Sequence, residues 1–456
     1  MSSLQNTLNI LSSWVWGWPL MALLIGTGLW FTVRLGGLQF RLLPHALWLA
    51  FIRRREASDE GDISHFQALM TAMAATVGTG NIVGVATAIA VGGPGAVFWL
   101  WLTGLVGMVT KYAEALLAVK YRVLTSAGKM AGGPMYYIER GLGQKWLAVV
   151  FACLTVLASF GIGNMTQANA VADGLFTAFG FNPRDTGAVL TVLSGLVLLF
   201  GIKGIARCTS VLVPIMILFY LAVTFGVLCA NARAIPSVLA LILQHAFSPT
   251  AAAGGFAGAA LKKTIQVGLA RGLFSNESGL GSAPIAAAAA RTNHPVVQAL
   301  VSMTQTFIDT ILVCSMTALV ILSSGAWTQA GADGKGLTGA LLSATAFTSV
   351  YGEWGGRLAT VALALFAWST LIGWGYYGEK ALEYLAGTKA IPVYRTVFVS
   401  VVYLGCVLKL ETVWTLSDIF NGLMALPNLV ALLCLSPLVV TETRAYLDDR
   451  KRGKEF

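Results

Sequence analysis

Apolar residues gather along this chain in runs near 20 residues long, separated by polar and charged stretches. A helical run of about 20 residues, rising about 1.5 Å per residue, crosses the roughly 30 Å of hydrocarbon in a bilayer. Eleven such runs are predicted as spans, numbered 1 to 11: residues 14–33, 67–91, 95–119, 146–168, 186–201, 208–230, 258–290, 296–323, 357–378, 393–409 and 413–440. The fifth is short. Span 1 reads as a retained span rather than a cleaved secretory signal, because residues 1–13 hold no Lys or Arg and no small-residue cleavage site stands out.

Two spans carry a polar interruption at mid-depth. In span 2 it is Gly78-Thr79-Gly80-Asn81; in span 7 it is Phe274-Ser275-Asn276-Glu277-Ser278-Gly279. Spans 2 and 7 each open a set of five, spans 2–6 and 7–11, and an odd set reverses direction. That is the arrangement of an inverted repeat, in which matching interrupted helices point to a site near the bilayer midplane. A break frees backbone groups that lipid cannot satisfy, at several kcal/mol each unless they are buried in protein or line a cavity. The half-helix before a break ends in carbonyls, which suit a cation; the half after it begins with free N–H groups, which suit a carboxylate. A zwitterion with a companion cation satisfies both. The amides of Thr79, Gly80 and Asn81 are therefore expected to hold a carboxylate, and carbonyls near Thr76, Val77 and Phe274 to face an ammonium or an ion. Gly84, Gly104 and Gly107 are read instead as close helix packing.

The third span of each set adds polar groups at the same depth: Gly161 to Asn169 in span 4 and Phe366 to Trp374 in span 9. The hydroxyls of Ser369 and Thr370 are hard oxygen ligands of the kind sodium accepts, and Thr370 and Trp374, four apart, share a helix face. Only its depth recommends Gln167. Charges inside the spans need partners. Lys111 and Glu114, three apart in span 3, are expected to pair with each other or lie near the cytoplasmic rim. Asp309 lies in span 8. Glu277 has three readings: ion ligand, ammonium contact, or cap of the second half-helix of span 7.

Composition agrees with the pattern: 56% of residues are hydrophobic and only 11% charged, far from a soluble average. Of the 30 Lys and Arg, alternate loops starting with that of Arg34, Arg41, Arg53, Arg54 and Arg55 hold 21, the opposite loops 7, and the spans two, Lys111 and Arg271. The bias places the N-terminus outside and the C-terminus in the cytoplasm. The net charge of +10 then reflects attraction to anionic lipid rather than nucleic acid, and Arg450-Lys451-Arg452 is a solvated topology anchor. Six cysteines stand singly, with no zinc spacing, and His45, His65, His245 and His294 fall in loops or at span ends. Neither a metal cluster, a histidine proton relay nor a hydrolase motif is visible, and "GTGNIVG" lacks the strand and acidic partner of a nucleotide loop. An enzyme is not expected, nor an organic cofactor or an obligate protein partner. A channel would want weak sites repeated along a pore rather than breaks at one level; proton coupling stays open beside sodium coupling.

Three motifs, "GTGNIVGVATAIAVGGPGAVFWLW" (Gly78 to Trp101), "AGGPMYYIERGLG" (Ala131 to Gly143) and "FSNESGLGSAPIAAAAA" (Phe274 to Ala290), closely resemble the alanine or glycine:cation symporters, also called the sodium:alanine symporter family, over essentially the whole chain. Ser278 stands where alanine is expected, and Val83 where alanine is common. The resemblance implies an all-α leucine-transporter-type fold: a single transport domain over 1–456, an extra helix at 14–33, five-helix units over 67–230 and 258–440, and a basic tail at 441–456. It implies cotransport of Na+ with alanine or glycine across a bacterial-type cell membrane. By motif position, Thr76, Val77, Ser369 and Thr370 correspond to the sodium site. Gly78, Thr79, Gly80, Asn81, Phe274, Ser275, Asn276 and Trp374 correspond to the substrate pocket, to which Thr370 and, on depth alone, Gln167 are added as candidates.

Overall fold

Side chains cap the starts of some of these helices. Ser64 opens span 2 with a reciprocal cap: its hydroxyl accepts from the Gln67 amide, and the Gln67 side chain accepts from the Ser64 amide, both at 3.1 Å. Asn182 caps the next amide but one, with Pro183 in the first helical position of Pro183–Leu198. The computed structural model describes residues 2–53, 60–247, 257–331, 334–408 and 411–454. Arg54, Arg55 and Lys409 of the charge count lie outside them. The chain is 84% helical.

Among the described residues, eight helices are long and apolar enough to cross a membrane: Gln5–Arg34, Ala96–Lys120, Lys145–Phe179, Gly201–Ala230, Pro295–Ser323, Glu353–Ala386, Thr388–Val407 and Thr412–Cys434. A ninth is the bent pair His65–Thr76 and Gly80–Gly92, which meet at 51°. Two runs remain. Span 5 is the 16-residue helix Pro183–Leu198, too short for that test, and span 7 begins as Ala257–Asn276, where Lys262, Lys263 and Arg271 lower the hydropathy. Span 11 ends at Cys434 rather than near 440, and a new helix, Ser436–Lys451, succeeds it. The start of the expected tail is therefore packed: Val439, Val440, Thr443 and Tyr446 are buried, Tyr112 Oη lies 2.8 Å from Thr443 Oγ1, and Lys120 bonds Glu442 at 2.6 Å.

Spans 2 and 7 lie side by side and antiparallel. At one end Asp62 N–H donates to Ala289 O at 2.9 Å and Arg291 N–H to Ile63 O at 2.7 Å. At the other, Thr264 Oγ1 donates to Gly92 O at 2.8 Å. The buried helix of span 3, Ala96–Lys120, packs against span 7 and span 8 through small residues. A methyl on Gly107 would lie 2.7 Å from Ser278 Oγ, and one on Gly104 2.7 Å from Thr310 Cγ2, so both glycines serve close packing. Ser278 Oγ lies 3.1 Å from Thr306 Oγ1.

Candidate functional site

The break in span 2 is shorter than its sequence suggests. The first half ends at Val77, whose N–H bonds Met73 O at 2.8 Å, and whose ψ of 93° turns the chain out of the helix. Gly80 and Asn81 already belong to a π-wound turn, Gly80–Gly84, which leads into Val85–Gly92. Asn81 closes the gap with its own side chain: Oδ1 accepts from Gly78 N–H at 2.8 Å, while its backbone N–H bonds Gly78 O at 3.3 Å. The Asn81 amide is thus occupied, a correction to the expectation that it waits for a carboxylate.

Behind this gap, span 9 brings two hydroxyls onto the bare carbonyls. Ser369 Oγ lies 2.8 Å from Phe366 O, 3.2 Å from Ala74 O and 3.4 Å from Val77 O. Thr370 Oγ1 lies 3.0 Å from Phe366 O and 3.4 Å from Val77 O. Two hydroxyl protons cannot satisfy five such contacts, so lone pairs of five buried oxygens face one another. That donor set is hard, neutral and cation-seeking. Val77, Ser369 and Thr370 are brought together as expected, joined by the carbonyls of Ala74 and Phe366. The Thr76 hydroxyl is not: it donates to Ala72 O at 2.9 Å and accepts from Gln305 Nε2, so the side chain faces away.

On the other side of the gap lies the candidate substrate chamber, closely packed in this structure, around Gly78, Gln167 and Thr370. A methyl on Gly78 would collide with Thr370 Oγ1 and lie 3.5 Å from Gln167 Oε1. Gln167 donates from Nε2 to Ile162 O at 3.0 Å, but its buried Oε1 meets no donor among the described residues. Gly163, in the π-wound turn Gly161–Met165 of span 4, packs against Trp374, where a methyl would collide with Cβ and Cγ. A methyl on Gly80 would lie 3.2 Å from Ser275 Cα and 3.4 Å from Phe274 Cδ1, so span 2 just after its break meets the last helical turn of span 7 just before its own. Phe274 also forms one wall of a cavity of about 450 Å³ shared with Trp16, Lys263, Arg271 and Asp418.

Asp309 ties spans 2 and 7 together beside their breaks. Its Oδ1 accepts from Asn81 Nδ2 at 2.6 Å, and its Oδ2 from Ser275 Oγ at 3.1 Å and Thr310 Oγ1 at 2.8 Å. It sits in a π-wound segment, Phe307–Cys314. Sequence marked this carboxylate as a charge in an apolar run, but no spacing rule could name partners 34 and 228 residues away.

The break in span 7 begins at Glu277, later than expected, since Phe274, Ser275 and Asn276 are still helical. Beyond it the chain forms one short turn, Pro284–Ala287, rather than a second half-helix, because Gly279 and Gly281 take positive φ values of 89° and 85°. Asn276 turns away from the chamber: Oδ1 accepts from Ser278 N–H at 3.0 Å and Nδ2 donates to Thr103 Oγ1 at 3.2 Å. Glu277 does not cap the segment after the break either. Its Oε1 accepts from Trp374 Nε1 at 2.9 Å and its Oε2 from Ser282 Oγ at 2.6 Å, so it fixes the indole that borders the chamber. The cap comes from span 3. Glu114 Oε1 accepts from Gly279 N–H at 3.1 Å, Gly281 N–H at 3.0 Å and Asn428 Nδ2 at 2.7 Å, while Lys111 Nζ donates to Glu277 O at 3.0 Å. Lys111 and Glu114 form no ion pair with each other among the described residues, and both are buried. Each instead meets the end of the break opposite to it in sign: ammonium on a carbonyl, carboxylate on N–H groups.

The model of the sodium:alanine symporter family matches residues 1–456. The chain belongs to that family. It is 51% identical to the sodium/alanine symporter AgcS of Methanococcus maripaludis, over 98% of each chain, and 38% identical to the amino-acid carrier protein AlsT of Bacillus subtilis, over 99% of this chain and 94% of that one. Among solved structures it resembles MhsT in complex with L-phenylalanine, with a TM-score of 0.59 at 15% identity, covering 84% of this chain and 98% of that one. It also resembles a manganese transporter of Eremococcus coleocola, with a TM-score of 0.52 at 16% identity, covering 84% and 82%. At these identities the likeness is one of fold. As a sodium:alanine symporter the chain is a multi-pass membrane transporter and not an enzyme, with sodium coupled to amino-acid transport.

Proposed function

We propose that the chain imports alanine or glycine together with sodium, by alternating access about the chamber between spans 2, 4, 7 and 9. The observation that carries this reading is the convergence of five buried oxygens, from Ala74, Val77, Phe366, Ser369 and Thr370, directly behind Gly78. Sodium held there fixes Val77 at the end of the first half-helix, and the next residues in sequence, Gly78, Thr79 and Gly80, border the chamber. Each ligand therefore helps to organise the site for the other. The substrate lies among Gly78, Thr79, Gly80, Ser275, Thr370 and Trp374, with Phe274 between it and the cavity beyond. Gln167 supplies an acceptor for the ammonium through Oε1. Close packing at Gly78, Gly80 and Gly163 favours a substrate with a small side chain over a bulky one.

The reading includes eleven spans, an extra helix at 14–33 and inverted units over 67–230 and 258–440, with the N-terminus outside. The antiparallel course of spans 2 and 7 supports it. One sodium ion entering at about 100 mV contributes roughly 2.3 kcal/mol before its concentration gradient is counted. A relative 41% identical over 99% of this chain bears the name "Probable sodium/glutamine symporter GlnT", so the test includes glutamine. Radiolabelled alanine, glycine and glutamine are offered to liposomes under an imposed sodium gradient. Saturable uptake of the two smaller amino acids that stops when choline replaces sodium is expected. Uptake indifferent to that exchange defeats the sodium assignment in favour of protons, and non-saturable flux favours a channel.

A further inference from the structure

We propose that the corner between spans 5 and 6 binds one anionic phospholipid. An apolar groove of about 720 Å³ runs along it, walled by Leu196 and Phe200 on one side and Val211 and Ile215 on the other, with Lys203 and Arg207 at its mouth. Phe200 and Val211 are 74% and 61% exposed, so the groove opens to the bilayer. Lys203 and Arg207, four apart near the start of Gly201–Ala230, share one helix face. Neither they nor Lys129 make an ion pair among the described residues.

The positive charge extends beyond those two. A methyl on Gly201 would lie 2.7 Å from Arg395 Nη2 and 3.7 Å from Lys129 Nζ, so Lys129 adds a third unpaired cation at this corner, beside Arg395, whose charge Glu379 offsets. The carboxylate beside it, Glu379, is taken up by Arg395 in a two-pronged contact at 2.7 and 3.0 Å, and the first turn of the helix holds no acid. A solvated basic loop would need no groove, and a neutral lipid would need no unpaired cations. A phosphate group with acyl chains uses both. The site also bears on transport machinery. Leu198 packs on Gly375 and Arg395 holds Glu379, both on the helix that carries Ser369, Thr370 and Trp374.

The test uses the purified full chain with phosphatidylglycerol, phosphatidylcholine or inorganic phosphate added, reading lipid retained in native mass spectrometry and the shift in melting temperature. The wild type is expected to retain one phosphatidylglycerol in preference to phosphatidylcholine and to gain stability from it, with no gain from phosphate alone. The K203Q/R207Q variant is expected to bind phosphatidylglycerol about 25-fold more weakly, at roughly fivefold for each cation lost. V211W, which fills the groove and leaves the cations in place, should lose retention too. A control, R450Q/K451Q/R452Q, neutralises the exposed tail and should bind as wild type. Equal retention of the two lipids, unchanged binding in K203Q/R207Q or V211W, or an equal loss in the tail control would each overturn the site.

Discussion

Exchanging the charges of Lys111 and Glu114 separates two accounts of the same residues. If they matter as an ion pair, the double variant K111E/E114K keeps the pair and behaves nearly as wild type. The geometry says otherwise. A glutamate at 111 would face the Glu277 carbonyl, acceptor against acceptor, and a lysine at 114 would face the amides of Gly279 and Gly281 and the Nδ2 of Asn428, donor against donor. Four contacts turn unfavourable in a site where Lys111 is 1% and Glu114 0% exposed. At about 1–3 kcal/mol for each buried group left without a partner, the loss reaches about 4–12 kcal/mol, comparable with the stability of a whole domain. The exchange variant should therefore fail to yield a monodisperse, transport-competent protein. Glu114→Gln keeps an acceptor where the two amides point and surrenders only the charge. It should fold and lose about 2 kcal/mol of hold on the break, near thirtyfold in the KM for alanine, with a smaller change in maximal rate. Thermal melting by size-exclusion fluorescence and initial uptake rates in proteoliposomes supply both readouts. A K111E/E114K protein that melts and transports as wild type would refute the reasoning.

The chamber gives two further outcomes. Thr370→Val keeps the shape of the side chain and removes one oxygen of five around Val77. It should raise the sodium concentration needed for half-maximal uptake by at least about tenfold, with little change in melting temperature; an unchanged sodium dependence would move the ion site elsewhere. Gln167→Leu removes a buried acceptor that has no partner of its own, so the fold loses only the bond to Ile162. The KM for alanine should rise about tenfold, and a normal KM would show that Oε1 does not reach the substrate.

Much of this arrangement was legible in the residues alone. The types Gly78, Thr79 and Gly80 in a run of apolar neighbours marked a helix that must open, and the polar run from Phe274 to Gly279 marked a second one, although its first three residues stay helical. Ser369 and Thr370 were legible because hydroxyls at that depth are few in span 9. The features that escaped had no signal in residue type. The carbonyls of Ala74 and Phe366 belong to side chains that say nothing about liganding. Asn81 and Asn276 looked like substrate ligands, yet each Oδ1 folds back on an amide of its own break, a local bond that competes with any ligand. Lys111 and Glu114, three apart, invited a pairing rule, but a third element intervened between them.

Solvent preference and helix length are local properties: they derive from composition and from the rise per residue, and they settled that this chain lies in a membrane and where it must open. Which backbone oxygens meet, and whether an acid caps a helix or steadies a tryptophan, depend on contacts between residues 97 to more than 290 apart. Those distances are set only when the spans pack, and packing decided them.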